Sequence, residues 1–235
     1  MLRSLLGEPP RRDEGLLSDT FKTMRQVIQH FQARPDRSSG SRLDYSKLQI
    51  WMEGLAASLD ELEQCTHASA FFRHKVHTRY MADMGPQEKG DYARYVYFYK
   101  DGFIRVFSIL DKLGTVLNEL YGLNTARVKP HYSYFTVLRQ FSYLGAHPRL
   151  GQRLTEIKEQ HKDALSRLRR RRNTEIHYMN SEMQDDLWQK HQAPHGKLEL
   201  EDMDQHLTDL MDGYQMVLES LNVSFKYTLS NIKVF

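Results

Sequence analysis

The sequence has one cysteine and no long apolar run, and each shortage excludes a class of protein. A lone thiol, Cys65, can form neither an internal disulfide framework nor a cysteine-based zinc site. We expect it to be a buried, inert thiol in an apolar helix. No stretch reaches the roughly 20 apolar residues that span a bilayer, and the apolar run at the N-terminus is too short for a signal peptide. These shortages predict a cytoplasmic protein that does not enter a membrane.

Excess charge is lacking as well. The 33 basic and 30 acidic residues leave a formal net charge of only +3. Such a small charge creates no whole-protein field that would attract nucleic acid or an anionic membrane. An anionic partner must therefore be bound by a local patch. The 235 residues suffice for one large domain or two small ones with a full core.

Alternation with a period of two is missing, whereas apolar residues recur at three- and four-residue steps almost throughout. This pattern predicts an all-α fold, a bundle of about five long helices with additional short helices. We expect an N-terminal extension over 1–15 and a single domain over 16–235, with a polar surface excursion at 181–197. The expected helices are one that begins after Ser18, then 45–81, 87–121, 132–143, 150–179 as one helix or two pieces, and 198–229.

Several catalytic motifs are also absent. The chain has no glycine-rich phosphate loop and no Glu-x-x-His, and the second absence disfavours a di-iron bundle. His67, His74 and His77 fall within about 80° of one helical face. A metal-dependent four-helix-bundle enzyme is the alternative that this cluster leaves open. We interpret the cluster as an exposed histidine face and predict no metal and no other cofactor.

What the sequence does contain is Arg-Asn-Thr-Glu-Ile-His at 172–177, directly after three further arginines. Arginine binds phosphate through a rigid fork of donors, and histidine is the side chain best suited to move a proton near neutral pH. Together they indicate chemistry on a phosphodiester, with RNA as the expected substrate. The candidate cations that would bind RNA or phosphate are Arg169, Arg170 and Arg171.

This pattern has a plain alternative, because most runs of charge are solvated helix faces and cations also favour the last turn of a helix. Positions five apart diverge by about 140° around a helix. Either the helix restarts near Asn173, a good N-cap residue, or the two side chains enter a cleft from different sides. Ile176 and the apolar residues that follow would keep His177 partly dry and better able to act as a base. Arg25 and His30 repeat the spacing on the first amphipathic helix, and we interpret that pair as a coincidence.

The arginine, the polar residue after it and the histidine, placed at the end of a basic helix, resemble the HEPN superfamily, whose signature is Arg-x4–6-His. Beyond the motif, roughly residues 1–230 resemble a single-domain bacterial HEPN family of the firmicutes. The segments that carry this likeness are 7–10, 58–63, 97–100, 107–114, 127–130, 134–139 and 172–180.

The resemblance implies a HEPN-like helical bundle that forms a homodimer with two motifs facing across the two-fold axis. It implies a metal-independent endoribonuclease with Arg172 and His177 as catalytic residues and Asn173 as a polar auxiliary. Such an enzyme needs a proton-transfer group and a cation for the developing charge. The 2′-hydroxyl of the RNA is the nucleophile, so DNA should not be cut. The alternative is a catalytically inactive HEPN module that binds nucleotide, RNA or a protein partner.

Four charged residues outside the motif are auxiliary candidates. A solvated face is the ordinary interpretation of acidic residues such as Asp60 and Glu61. Either could instead orient the motif, as could Asp111 and Lys112 in the most apolar helix. An ion pair buried in that helix would be costly unless well satisfied, and would therefore indicate function.

The resemblance also implies an antitoxin or a nucleotidyltransferase as a partner. Some HEPN toxins carry a tyrosine two residues after the histidine, where the nucleotidyltransferase modifies them. In this chain Tyr178 directly follows His177, and Met179 takes the place of the modified residue. The departure argues against control by that modification.

Overall fold

The computed structural model describes residues 2–12, 14–34, 43–177 and 199–232. Within these ranges the regular structure is helical, apart from one isolated bridge between Tyr80 and Glu199. The all-α bundle that the periodicity predicts is therefore confirmed. The helices are α1 (Leu2–Leu5), α2 (Gly15–Gln32), α3 (Tyr45–Arg73), α4 (Pro86–Tyr121), α5 (Tyr134–Leu144), α6 (Pro148–Gln160), α7 (Lys162–His177) and α8 (Met203–Ser230), with single 3-10 turns at Met81–Asp83 and Thr125–Arg127.

Helix α4 is the centre of the bundle, as its wide apolar arc predicts. It packs against α3, α5, α7 and α8. Pro86 occupies the first turn, where a missing backbone N–H costs nothing. Gly122 ends the helix with a φ of 60°, the left-handed conformation that glycine adopts without strain. Both ends of α4 thus follow from local sequence chemistry.

Helix α3 is shorter than its apolar stripe predicts, because it ends at Arg73 instead of running to residue 81. Val76 continues the stripe and is buried, but it lies in the turn that follows the helix. The carboxylate of Glu88 accepts hydrogen bonds from the backbone N–H groups of His77 (2.6 Å) and Thr78 (2.7 Å). These bonds give the backbone an alternative to further helix.

Two other predicted starts are wrong by several residues. Helix α2 begins at Gly15 and not after Ser18, since Leu16 and Leu17 extend the apolar face that packs on the core. Helix α8 begins at Met203, where Asp202 is the N-cap and its side chain accepts from the backbone N–H of Gln205 at 2.9 Å. Local capping decides the second start.

The segment predicted at 150–179 consists of two helices, separated at His161. His161 Nδ1 lies 2.8 Å from Asp212 Oδ1 on α8, so a side-chain contact fixes the junction. Helix α7 then continues through Asn173 without interruption, and the proposed restart there is wrong. The polar excursion at 181–197, like Tyr178 and Met179, lies outside the described residues.

In the described part of the chain, no helix combines the length and the apolar character needed to cross a bilayer.

Candidate functional site

The arginines of α7 lie on two faces of the helix. Arg169 and Arg172 are three residues apart and line a cavity beside α4 and α5. Arg167 and Arg171 are four residues apart and contact Asp209 on α8. Residues at these spacings share a face, so the basic run divides into a cavity side and a core side.

Arg172 is held in place by two neighbours. Its guanidinium carbon lies 4.9 Å from the centre of the Phe107 ring on α4. Its Nη2 donates to the Asn173 side-chain oxygen at 2.7 Å, and its Nε donates to the same oxygen at 3.2 Å. Stacking on an aromatic face leaves the edge of a guanidinium free to donate. Asn173 therefore orients the arginine that precedes it.

The cavity has a volume of about 530 Å³ and lies between α4, α5, α6 and α7. Arg169 stacks on Phe135, with its guanidinium carbon 4.6 Å from the ring centre, just as Arg172 stacks on Phe107. The charged residues described in its lining are Asp111, Lys129, Arg139, Lys158, Arg169 and Arg172. Five cations against one carboxylate give the cavity a lining of net positive charge.

Asp111 is that carboxylate, and it serves the fold. Its Oδ1 accepts a hydrogen bond of 2.8 Å from the backbone N–H of Tyr134, the first residue of α5. Burial raises the pKa of Asp111, while the Tyr134 N–H and the charges of Arg172 and Arg169 act in the opposite direction. Of the four auxiliary candidates, Asp111 is the one that the structure brings to the motif.

The other three auxiliary candidates have partners of their own. Asp60 pairs with Arg11 at 2.8 Å, and Glu61 pairs with Arg105. Lys112 Nζ donates to the Ser58 hydroxyl at 3.0 Å. None of these contacts involves the 172–177 motif. Lys112 also has no ion pair with its neighbour Asp111 among the described contacts, so the buried pair that would have indicated function is not formed there.

Of the three arginines that the sequence predicts to bind phosphate, Arg169 lines the cavity, whereas Arg171 does not. The Arg171 guanidinium donates to the Tyr99 hydroxyl at 2.7 Å and lies 3.4 Å from Asp209, which is fully buried. A cation engaged in this way neutralises an internal carboxylate. Arg170 is exposed and lies outside the cavity lining.

His177 is the last residue of α7, and its side chain lies outside the described part of the structure. Ile176, which was expected to help shield the imidazole, is 54% exposed. Glu175 forms an ion pair of 2.8 Å with Lys100, which fastens the end of α7 to α4. The motif therefore sits at a fixed helix end with an exposed apolar neighbour.

The three histidines of the alternative metal site do not form a metal-binding cluster in the described structure. His67 contacts Glu8, with 2.5 Å between Nε2 and Oε2, while His74 and His77 are exposed. Among the residues that the structure describes, no three histidine, cysteine, aspartate or glutamate side chains come together as metal ligands. Cys65 is buried as expected; burial, then a hydrogen bond to Asp101, raises the pKa of its thiol to about 12.

Arg25 and His30, which repeat the motif spacing on α2, do not line this cavity. Arg25 is exposed on the helix surface, while His30 is half-buried and burial lowers its pKa. Neither residue lines the described cavity that contains Arg172. The same spacing therefore occurs on α2 away from that cavity.

Sequence reasoning missed three cavity residues, Lys129, Arg139 and Lys158. They come from the loop before α5, from α5 and from α6, so no periodicity or spacing connects them. The resemblance to a family did include the segments of the first two, but without a role for either. Only the packing of α5 and α6 beside α7 brings these cations near Arg172.

The fold is an all-helical bundle in which a basic helix ends in an arginine–histidine motif, as expected for a HEPN protein. The family model described as Cthe2314-like HEPN matches residues 51–229, well over half of the chain. The protein therefore belongs to this HEPN family, which confirms the predicted resemblance. Searches of curated proteins and of solved structures gave no match.

Proposed function

We propose that this protein is a metal-independent endoribonuclease whose active site combines Arg172 and His177 across a homodimer. The main support for the proposal is the set of contacts that the Arg172 guanidinium makes. Its guanidinium is stacked on Phe107, oriented by Asn173 and open to a cation-rich cavity. No described carboxylate lies within salt-bridge distance of it, so its charge is available to a phosphate. The HEPN family supplies the RNA context.

The chemistry follows from the two side chains. The 2′-hydroxyl of a ribose attacks the adjacent phosphorus, so that an O2′–P bond forms and the P–O5′ bond breaks. One imidazole nitrogen exchanges protons with these oxygens: the 2′-hydroxyl loses its proton and the departing O5′ gains one. Arg172 stabilises the additional negative charge on the phosphorane oxygens. The products are a 2′,3′-cyclic phosphate and a 5′-hydroxyl end.

The continuity of α7 favours a site shared by two chains. Because the helix is unbroken from Lys162 to His177, positions 172 and 177 are about 140° apart around its axis. One phosphate on the Arg172 side is thus remote from position 177 of the same chain. A second copy, related by a two-fold axis, can bring its own His177 to that phosphate.

An exposed apolar face suits the second copy. Tyr97 is 67% exposed and shares one face of α4 with Ile104, which is also exposed. Lys100 lies on the same face and pairs with Glu175, next to the exposed Ile176. Exposed apolar side chains beside an ion pair at the end of the motif helix are the kind of surface that a dimer buries. We expect Ile104→Glu to yield monomers in light scattering, and to abolish cleavage with them.

The primary test is RNA cleavage in excess chelator. Wild type should cut single-stranded RNA and leave DNA of the same sequence intact, because DNA lacks the nucleophile. Arg172→Ala and His177→Ala should each lower kcat about 100-fold or more. The matched controls are Arg25→Ala and His30→Ala, which remove a pair of identical spacing and should cut like wild type.

Two outcomes contradict the proposal. Wild type that binds RNA but never cuts it indicates the inactive HEPN module. A His177→Ala variant that cuts as fast as wild type removes the histidine from the mechanism. Circular dichroism spectra of each variant and of wild type distinguish a loss of activity from a loss of structure.

A further inference from the structure

The cavity beside Arg172 is longer than a single phosphate requires. Its lining follows α5 from Ser133, just before the helix, to Ser142 near its end. At 1.5 Å per residue this distance is about 14 Å. One phosphate at Arg172 leaves the far part of the cavity unused. A ligand that fills the cavity must therefore extend along α5.

A second pair of cations lies along that far part. Arg139 is on the second turn of α5, and Lys158 is on α6, which follows α5 after a short turn. Lys158 also shares the lining with Thr155 and Ser142 at this end. Arg139 is exposed and has no carboxylate within salt-bridge distance among the described residues. Among the described residues, the one carboxylate paired with Lys158 is that of its sequence neighbour Glu159, an exposed contact that a phosphate can replace at little cost.

The carboxylate of the cavity does not balance these cations. Asp111 lies at the start of α5, where the backbone N–H of Tyr134 donates to it. A charge that caps a helix N-terminus is already engaged with the positive end of the helix dipole. It is also one charge against five. The excess at the far end has no described counterpart and favours an anionic ligand.

We propose that Arg139 and Lys158 form a second phosphate subsite, which holds a neighbouring phosphate of the RNA strand cut at Arg172. The proposal rests on the proposed function, because it takes the ligand of that site to be RNA. Inorganic triphosphate is too short to reach both ends of a cavity about 14 Å long, whereas a strand of a few nucleotides carries phosphates at repeated intervals. The subsite would thus fix the register of the strand relative to the scissile bond.

The test compares binding of uncleavable 2′-O-methyl oligonucleotides of increasing length. Arg139→Ala with Lys158→Ala should weaken binding of the longer strands about tenfold or more, and leave the shortest unchanged. The plot of log affinity against log salt should lose about 1.4 in slope, since each contact to a single strand contributes about 0.7. Inorganic triphosphate should bind wild type more weakly than the longer strands do, because it cannot reach both ends of the cavity.

The matched control is Arg153→Ala with Lys162→Ala, which removes exposed cations of α6 and α7 that do not line the cavity. It should bind every strand like wild type. With cleavable RNA, the subsite variant should raise KM and keep kcat, in contrast to Arg172→Ala. Equal binding of all strands by the subsite variant and wild type would overturn the proposal.

The two proposals fail separately. If wild type binds long strands through Arg139 and Lys158 but never cuts RNA, the nuclease is wrong and the subsite stands. If wild type cuts RNA while the subsite variant has an unchanged KM, the nuclease stands and the subsite is wrong.

Discussion

The side chain of Asp111 on α4 accepts a hydrogen bond of 2.8 Å from the backbone N–H of Tyr134, and this contact fixes the start of α5. The two helices approach closely one turn further along α4. A Cβ atom at Gly114 would lie 3.0 Å from the Tyr134 Cα and 3.4 Å from its backbone nitrogen. The cavity wall formed by α5 is therefore positioned by a carboxylate and a missing side chain.

Gly114→Ala should lower the free energy of unfolding by about 1–3 kcal/mol, the cost of overpacking. The new methyl meets backbone, which cannot rotate away, and this cost outweighs the gain of about 1 kcal/mol in helix propensity. Urea denaturation measures the change. Gly54→Ala is the control, because a Cβ at that position on α3 meets nothing within 4 Å. It should stabilise the protein, and an equal destabilisation by both variants would contradict the close approach.

Asp209 connects α8 to the core side of α7. Its carboxylate is fully buried and accepts from Arg167 at 2.7 Å and from Gln205 at 2.9 Å, with Arg171 at 3.4 Å. Asp209→Asn should cost about 2 kcal/mol in thermal or urea unfolding, somewhat below a fully buried pair because Arg167 is partly solvated. Asp204→Asn removes an exposed acid of the same helix, whose ion pair with Arg73 is solvated, and should cost less than about 1 kcal/mol. Comparable effects of the two changes would make Asp209 a minor contact.

His206 should make stability depend on pH. It is buried, with its ring stacked on Tyr99 at 5.2 Å between centroids. Burial, followed by the charge of Arg171, lowers the pKa of His206 to about 4, although Asp209 and Asp202 oppose the shift. The unfolded chain binds this proton at about pH 6.5. The contribution of the neutral His206 to the free energy of unfolding is therefore fully present above that pH, and it is lost as the pH decreases toward 4.

The size of this effect is about 3 kcal/mol when the full shift is traversed. His206→Phe keeps a ring at the position and removes the titration. Its unfolding free energy should fall less than that of wild type between about pH 7 and about pH 4. The exposed His131→Phe is the control and should follow the wild-type curve. If His206→Phe follows it too, the imidazole does not resist protonation in the folded state.

The sequence predicts both ends of α4, where a local signal exists, but misses the start of α8, although the N-cap Asp202 is a local signal there. Pro86 and Gly122 bound α4 as expected, because the backbone preferences of these residues act without reference to the rest of the fold. The end of α3 is missed because the carboxylate of Glu88, from the next helix, satisfies the backbone after it. A stripe of apolar residues cannot show that Val76 is buried in a turn.

The candidate site is predictable only in part for a similar reason. Arg172 and Asn173 stand out because they are adjacent and belong to a motif. Arg171 looks the same in the sequence, yet its partners are Tyr99 and Asp209 on two other helices. Charge patterns give the number of cations in a run but not the side of the helix that meets a buried acid.

The central claim is that one active site takes Arg172 from one chain and His177 from the other. Its most direct test is to mix the Arg172→Ala and His177→Ala variants, allow subunits to exchange, and measure RNA cleavage in chelator. Half of the dimers then contain one chain of each variant, and one of the two sites in each mixed dimer is intact. Activity should therefore return to about a quarter of wild type. No recovery above the separate variants, with exchange confirmed by mass spectrometry, would contradict the shared site.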